Sequence, residues 1–314
     1  MERREFAKKT ALVGTSLFLK GLQSNGASIT ARSAKKLVPI NDAKKIFRQK
    51  GACSNTFCFL LNREFGNNDI NYERSTDLLA GGLAQTGHQC GMLWGSSLAV
   101  GSEAYRKCSN CNEAIGTSIV ATQSILKSFT QRTGTHNCRK VTGCDFNSKW
   151  DTMRYMAKIV VVGMDNSVCF KLAENWMPEA IDAAKEGLKL SPACINTPMS
   201  CASEVVRKMG GTEKEIAMVG GYAGGLGLSG NACGALAASI WMNMLRWHQN
   251  NPDKKAKYFN NPVVKRILKS YYTETNKEIL CYKICRQTFK NIDEHTDYLK
   301  NGGCNKLIDV LARA

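Results

Sequence analysis

The sequence predicts an all-α protein built from two tandem homologous helical units packed together. Apolar residues recur at helical spacing, as in the run that ends before Gly210, and Val263–Tyr272 and Asn305–Ala314 show the same period. Segments that alternate apolar and polar residues, as exposed strands do, are few. The chain also matches itself at an offset of 143 residues, which is too long for a solenoid repeat and indicates a duplicated domain.

The duplication is carried mainly by cysteines. Three pairs fall into register at the offset of 143 without a gap, and a fourth pair follows after a deletion of eight residues. The glycine-rich stretch Ala80–Leu83 falls on Ala223–Leu226 at the same offset. We therefore expect one four-cysteine helical repeat over residues 51–180 and another over 190–314. The aligned pairs are Cys58 with Cys201, Cys90 with Cys233, Cys138 with Cys281, and Cys169 with Cys304.

The amino terminus is typical of an export signal. Arg3 and Arg4 precede an uncharged run, Thr10–Leu19, that is too short to cross a bilayer of roughly 30 Å. The paired arginines resemble the bacterial twin-arginine signal. We expect residues 1–32 to be this signal segment and 33–50 a basic linker. The protein would then be periplasmic, or otherwise extracytoplasmic in a prokaryote, and not an integral membrane protein after signal removal.

Charge and composition exclude several classes of protein. Of the formal net charge of +17, the first fifty residues hold more than half, since they carry twelve basic and three acidic side chains. The rest shows no basic stripe with interleaved aromatic residues, so we expect no nucleic acid partner. A hydrophobic fraction of 43% excludes a disordered chain. Fourteen cysteines in 314 residues do not make a small disulfide scaffold, because such scaffolds are short.

The aligned thiols predict a metal centre in each repeat. Histidine is not part of the repeated set, since His88 aligns with Asn231. Four cysteines suit a [2Fe–2S] or [4Fe–4S] cluster or a four-cysteine zinc site, although zinc sites usually show short C-x-x-C spacings that this set lacks. Disulfides formed after export are the alternative. The iron–sulfur candidates are Cys58, Cys90, Cys138, Cys169, Cys201, Cys233, Cys281 and Cys304.

Glycines accompany the aligned cysteines and predict a loop near each site. Such a loop lets the backbone approach whatever the sulfur binds, and close helix packing is the alternative reason for glycine there. A buried helix would follow from about Cys233 to Trp247 and hold Cys233 in its first turn, where free N–H groups favour a thiolate. The loop residues are Gly81, Gly82, Gly91, Gly224, Gly225 and Gly234.

Six further cysteines are secondary candidates for redox chemistry or disulfides. Cys108 and Cys111 form a C-x-x-C pair with no counterpart in the second repeat, which a thiol–disulfide oxidoreductase would use. Asn112 follows the pair where a c-type haem site has histidine, so we expect no c-type haem. The full set is Cys53, Cys108, Cys111, Cys144, Cys194 and Cys285.

The order of these motifs resembles a redox-active family named after its C_GCAxxG_C_C pattern. The Cys-Gly motif starts at Cys90 in the first repeat, where Met92 replaces the usual Ala, and at Cys233 in the second, where Ala238 replaces the final Gly. The chain also resembles the cysteine unit of split-Soret cytochrome c, without its haem motifs. These resemblances imply a mainly helical fold and a non-haem iron–sulfur centre.

The leading functional hypothesis is an exported iron–sulfur protein that transfers electrons to an unidentified redox partner. No Ser/His/acid set, phosphate-binding loop or zinc protease motif is found, so no catalytic residue is assigned. The alternatives are a disulfide-stabilised exported binding or structural protein and a thiol–disulfide oxidoreductase. The sequence leaves the oligomeric state open, with a homodimer as one alternative.

Overall fold

The computed structural model describes residues 42–314, so the expected signal segment lies outside the described residues. The described part contains fifteen α-helices and three short 3-10 helices. Helix α1 (Ala43–Lys50) precedes the first repeat, whose helices are α2 (Cys53–Phe65), α3 (Ile70–Arg74), α4 (Gly91–Lys107), α5 (Cys111–Thr133), α6 (Cys138–Thr142), α7 (Lys149–Val162) and α8 (Val168–Gly187). Those of the second are α9 (Cys201–Lys208), α10 (Glu213–Met218), α11 (Gly234–Asn250), α12 (Pro262–Thr275), α13 (Cys281–Cys285), α14 (Ile292–Lys300) and α15 (Asn305–Arg313). The 3-10 helices are Asp77–Leu79, Met164–Asn166 and Gly220–Tyr222.

The all-α prediction is confirmed over the described residues. Two isolated antiparallel bridges are the β-type pairings there, Gln89 with Asn137 and Ala232 with Leu280. Each residue of the second bridge lies 143 positions after its counterpart in the first. The bridges are therefore part of the duplicated pattern.

The tandem repeat appears directly in the order of the helices. The seven helices α2–α8 follow one another as α9–α15 do, and α1 precedes the first set. The long helices α4 and α11 are the most buried of each repeat, with α4 packed between α2 and α5. The short helix α10 begins with a capping box, in which the Thr212 hydroxyl and the Glu215 carboxylate each accept from the other's backbone N–H.

The two repeats share one core. Helix α10 of the second repeat packs against α4 and α5 of the first. The 3-10 helix Gly220–Tyr222 also packs against α4, where the Tyr222 hydroxyl donates to the Trp94 carbonyl at 3.1 Å and the two rings meet edge to face at 4.9 Å. Both side chains are fully buried, so each contributes a large apolar area. No helix in residues 42–314 has the length and apolarity to span a membrane.

Candidate functional site

A backbone bridge brings the second and third aligned cysteines together in the first repeat. The Cys90 N–H donates to the His136 carbonyl at 2.9 Å, and the Cys138 N–H donates to the His88 carbonyl at 2.6 Å. Cys90 is the N-cap of α4, and Cys138 is the first residue of α6. The pairing therefore fixes two helix N-termini, each carrying a cysteine, side by side.

The second repeat has the same bridge. The Cys233 N–H donates to the Ile279 carbonyl at 3.0 Å, and the Cys281 N–H donates to the Asn231 carbonyl at 2.5 Å. Cys233 is the N-cap of α11, one position before the helix begins. Every residue of this arrangement lies 143 positions after its counterpart, so the two sites share one construction.

A left-handed turn of backbone precedes each bridge. Residues 81–85 all have positive φ, and this run includes the non-glycine residues Leu83, Ala84 and Gln85 at +67°, +51° and +65°. Residues 224–228 repeat the conformation with φ between +55° and +79°. A left-handed non-glycine residue costs roughly 1–2 kcal/mol, and backbone strain of this kind concentrates at functional sites. Its presence in both repeats indicates that the turn serves the site.

Two glycines of this turn are required by space as well as by conformation. A Cβ on Gly82 would lie 2.5 Å from the His88 backbone nitrogen and 2.8 Å from the Cys138 Cβ. A Cβ on Gly225 would lie 2.9 Å from the Cys281 Cβ. The glycine loop thus passes directly against the third cysteine of each repeat.

The first cysteine of the first site is Cys53, which opens α2. Its pKa is lowered, chiefly by a hydrogen bond with the Cys90 thiol and also by the Gly81 N–H, while burial opposes the effect. A Cβ on Gly91 would lie 2.6 Å from the Cys53 Sγ. Cys53 therefore sits between the glycine turn and the start of α4.

The last cysteine of the first site is Cys169, near the start of α8. Burial raises its pKa to about 12, and the charge of Cys53 adds to that effect. The Tyr155 hydroxyl lies 3.4 Å from the Cys169 Sγ and acts in the opposite direction. Cys144 also raises the pKa of Cys169 and so lies at the edge of the set. We call Cys53, Cys90, Cys138, Cys169 and Cys144 the first thiol group.

The second repeat gathers the equivalent set. Cys285 Sγ lies 3.7 Å from Cys281 Sγ and 3.7 Å from Cys304 Sγ. Burial raises the pKa of Cys201, and the charges of Cys304 and Cys233 raise it further, which places all of these thiols within electrostatic reach. We call Cys201, Cys233, Cys281, Cys304 and Cys285 the second thiol group.

Helix N-termini surround each group. In the second group, the N–H groups of Leu236 and Ala235 in the first turn of α11 lower the pKa of Cys233, but burial outweighs them and the pKa is about 11. Cys201 opens α9, and Cys304 is the N-cap of α15. The positive ends of these helices favour negative charge at the sulfurs. These sulfurs are therefore suited to become thiolates once a bound ligand offsets the free-energy cost of burying their charge.

Cys58 lies apart from the thiol group to which its alignment assigned it. Helix α2 has thirteen residues and α9 has eight, so the ungapped offset of 143 does not extend through this helix. Cys53, not Cys58, occupies the position that Cys201 takes as first residue of its helix. Five residues along a helix turn a side chain about 140° away, which directs Cys58 into the core near Asn62 and Tyr222.

Three of the secondary candidates also lie outside the thiol groups. Cys108 Sγ is 3.4 Å from Thr117 Oγ1, and Cys111 Sγ is 3.5 Å from the Glu213 carbonyl, so the C-x-x-C thiols contact different partners. Cys194 lies in the connection before α9, with its Sγ 3.9 Å from the Pro192 carbonyl. All fourteen cysteines are free thiols.

Tyrosines also lie at the sites and were not among the predicted residues. Tyr298 Oη lies 3.9 Å from Cys304 Sγ, which repeats the contact between Tyr155 and Cys169. The two tyrosines are 143 residues apart, so the sequence offset contained this signal. Tyr258 belongs to the second repeat. Burial is the main cause that raises its pKa, and the charges of Cys53 and Cys138 in the first thiol group raise it further. No pattern in the sequence indicated that a residue of the second repeat would lie near the first thiol group.

Each group gathers thiol donors of the kind that a thiolate-bound metal centre would need. Metal–sulfur bonds of about 2.3 Å in a tetrahedron separate the sulfurs by roughly 3.8 Å. The two sulfur–sulfur distances of 3.7 Å in the second group are close to that value. As the thiols stand, no three Cys, His, Asp or Glu side chains in residues 42–314 are arranged to hold a metal ion. Side-chain rotation would therefore have to accompany binding.

Comparison with known protein families gives a match in two copies. The family model described as "Putative redox-active protein (C_GCAxxG_C_C)" matches residues 52–177 and again 195–314. No curated protein and no solved structure matched the chain. The two matches begin just before Cys53 and Cys201 and together cover most of the chain. The chain therefore belongs to the redox-active C_GCAxxG_C_C family and carries the family's domain as a tandem duplication.

Proposed function

We propose that each thiol group binds an iron–sulfur cluster and that the protein transfers electrons. The observation that carries this proposal is the duplicated convergence of five cysteines, four of which lie at the N-termini of four helices. Such a centre would supply one-electron chemistry. Thiolate-rich sites of this kind suit clusters, and histidine takes no part in either group.

The chain itself would provide charge compensation and shielding. Burial raises the pKa of Cys138 and Cys201, so these thiols hold their protons at neutral pH in the absence of a ligand. Binding to a metal centre requires thiolates and so releases protons. The Gly81 and Gly224 N–H groups, which lower the pKa of Cys53 and Cys201, would then stabilise the negative sulfurs.

We also propose that the protein acts outside the cytoplasm. The paired arginines Arg3 and Arg4 and the uncharged run after them support export by the twin-arginine route. That route carries folded proteins, which suits a centre inserted before export. The electron-transfer partner is unidentified.

The decisive measurement is the metal content of the full chain purified without oxygen. We expect iron and inorganic sulfide in comparable amounts, with absorption bands in the visible range. Cys90→Ser and Cys233→Ser should each remove about half of the iron, because each damages one of two equivalent sites. Cys108→Ser, outside both groups, is the matched control and should retain it. A colourless protein without iron would overturn the proposal, and zinc in place of iron would overturn its redox part.

A second function is favoured by one observation. Cys53 is the thiol whose pKa is lowered, and its hydrogen-bonding partner is the Cys90 thiol. A stabilised thiolate beside a second thiol is the arrangement used in thiol–disulfide exchange. By contrast, burial raises the pKa of Cys111 in the C-x-x-C pair. If this function holds, the iron-free protein should reduce a small aromatic disulfide, and Cys53→Ser should abolish the reaction while Cys111→Ser leaves it intact.

A further inference from the structure

Helix α7 presents a largely apolar surface to solvent beside the first thiol group. None of its fourteen residues is buried within the described part of the chain. Of the thirteen large apolar side chains that are exposed in residues 42–314, eight lie in α7 or just after it. Apolar patches above a few hundred Å² are rare on monomeric proteins and mark sites of interaction. The eight are Trp150, Met153, Met156, Val160, Val161, Val162, Met164 and Val168.

The apolar residues of α7 itself form one continuous stripe along the helix. At about 100° per residue, six of them fall within about 140° of the circumference. Positions 150, 153, 157 and 160 are separated by three, four and three residues, the spacing at which one helix packs along another. An apolar stripe of this width is normally the side of a helix that faces a core. The apolar stripe consists of Trp150, Met153, Met156, Ala157, Val160 and Val161.

The equivalent helix of the second repeat is covered on the corresponding side. Helices α7 and α14 begin 143 residues apart. At that offset Met153 falls on Thr296, and Met156 falls on Leu299. Both residues of α14 are buried. The connection before α9 lies over this side of α14, where the Met199 N–H donates to the Thr296 hydroxyl at 3.1 Å.

The first repeat lacks that cover among the described residues. The residues directly before α2 form α1, which packs on α8 and not on α7. There the Phe47 ring stacks on the Phe170 ring at 4.3 Å. Met153 and Met156 are left 63% and 51% exposed. The duplication has therefore kept a helix side that is covered in one repeat and left it open in the other.

A second copy of the chain is the occupant that this surface fits best. The six residues of the apolar stripe carry no charge, and beside it Asp151 and Arg154 pair with each other at 2.9 Å. Two stripes can therefore meet without burying a charge. The eight exposed side chains present on the order of 800 Å², about what each partner contributes to a standard interface. The same surface on both copies is sufficient for a two-fold dimer.

We propose that two copies of the chain pair about a two-fold axis through the apolar stripes of their α7 helices. On the other side of the same helix, the Tyr155 hydroxyl lies 3.4 Å from the Cys169 sulfur. The pair of helices would therefore stand between the first thiol groups of the two copies. The interface does not depend on a cluster at those thiols.

Analytical ultracentrifugation of the full chain tests the pairing, under reducing conditions so that no disulfide joins two copies. We expect the mass of two chains, and no binding when phospholipid vesicles are added. A monomer at every concentration would overturn the proposal. Binding of a monomer to the vesicles would also overturn it, because lipid would then be what covers the stripe.

Two exposed β-branched residues supply a matched pair of variants. Val160 lies in the stripe and is 82% exposed, while Ile195 lies outside it and is 96% exposed. Val160→Lys places a cation in the last turn of α7, where the helix dipole favours it, so the fold should persist. Two-fold symmetry would bury two ammonium groups in the dimer, so its dissociation constant should rise more than about tenfold. Ile195→Lys should pair as the unaltered chain does.

Hydrogen exchange locates the interface independently of these variants. Exchange of the peptide that covers α7 should be slower in the dimer than in the monomer, while exchange of the α14 peptide should stay the same. Circular dichroism checks that both variants are folded. A folded Val160→Lys variant that pairs as before, equal weakening by both variants, or unchanged exchange in α7 would overturn the assignment.

Discussion

The Tyr155 hydroxyl lies 3.4 Å from the Cys169 sulfur, and Tyr298 stands in the same relation to Cys304 at 3.9 Å. Fourteen residues separate the first tyrosine from its cysteine, and six separate the second. The eight-residue difference equals the deletion that the sequence offset requires, so it falls between these two residues. The contact persists although the connecting chain differs, which indicates that the hydroxyl acts on the sulfur.

Removing that hydroxyl should make Cys169 less reactive. Tyr155 lowers the pKa of the Cys169 thiol against the larger effect of burial, so Tyr155→Phe should raise that pKa further. At a fixed pH above neutrality we expect alkylation of Cys169 in the metal-free protein to slow about threefold, because the lost hydrogen bond is worth roughly 1 kcal/mol at most. Peptide mass spectrometry after timed alkylation measures this rate. Tyr105→Phe, outside both thiol groups, is the control, and an equal slowing there would contradict the assignment.

Cys53 and Cys58 should behave differently when replaced. We expect Cys53→Ala to remove the iron of the first site and Cys201→Ala that of the second, each about half of the total. Cys58→Ala should keep the iron but lower the free energy of unfolding by about 1 kcal/mol, since it leaves a small void in the core. Iron analysis and urea denaturation of the three variants measure both effects. If Cys58→Ala lost iron and Cys53→Ala did not, Cys58 would be the ligand at the first site, as the ungapped alignment predicts.

Gly82 in the glycine turn should tolerate no side chain. Gly82→Ala would place a Cβ 2.5 Å from the His88 nitrogen at a φ of +81°, so both steric overlap and backbone strain oppose it. We expect the free energy of unfolding to fall by more than about 2 kcal/mol. Gly134→Ala is the matched control, because that glycine has a φ of +69° but open space around it, and it should cost only about 1 kcal/mol. Equal losses in urea denaturation would show that the turn is not tightly packed.

Asp77 should make stability depend on pH. Burial raises the pKa of its carboxyl to about 6, while the Asn55 amide opposes this, so the folded chain binds the proton more tightly than the unfolded chain, whose aspartate titrates near 3.8. This group therefore favours folding below pH 4, and that contribution is lost as pH rises through about 6. Asp77→Asn should then raise the free energy of unfolding at pH 7 by about 1 kcal/mol and change it little at pH 4.

The control for Asp77 is a carboxyl shifted in the opposite direction. The Lys208 ammonium lowers the pKa of Asp309, so Asp309→Asn should give no gain at pH 7. Urea denaturation at several pH values compares the two variants. A gain at pH 7 that is equal for both, or absent from Asp77→Asn, would show that burial of Asp77 is not costly.

Much of the fold followed from local patterns. The helices over Val263–Tyr272 and Asn305–Ala314 were predicted from apolar spacing, and α12 and α15 cover nearly the same residues. The capping box that begins α10 joins Thr212 and Glu215, which are three residues apart. These features depend on residues a few positions apart, so a single sequence contains what is needed to find them.

The membership of the thiol groups was predicted only in part. The glycine loop and the aligned cysteines after it keep a constant offset, so Cys90 and Cys138 were found with their counterparts. The difference in length between α2 and α9 broke that offset, and Cys58 was chosen in place of Cys53. Cys144 and Cys285 were assigned to a secondary role, although both lie within the groups.

The sequence by itself determined the helical class, the duplication and the inventory of thiols, because these depend on composition and on spacing along the chain. The tertiary structure decided which thiols meet, since that depends on the direction in which a helix turns each side chain. It also decided that Tyr258 of the second repeat reaches the first thiol group. That contact joins residues far apart along the chain, and only packing of the two repeats into one core brings them together.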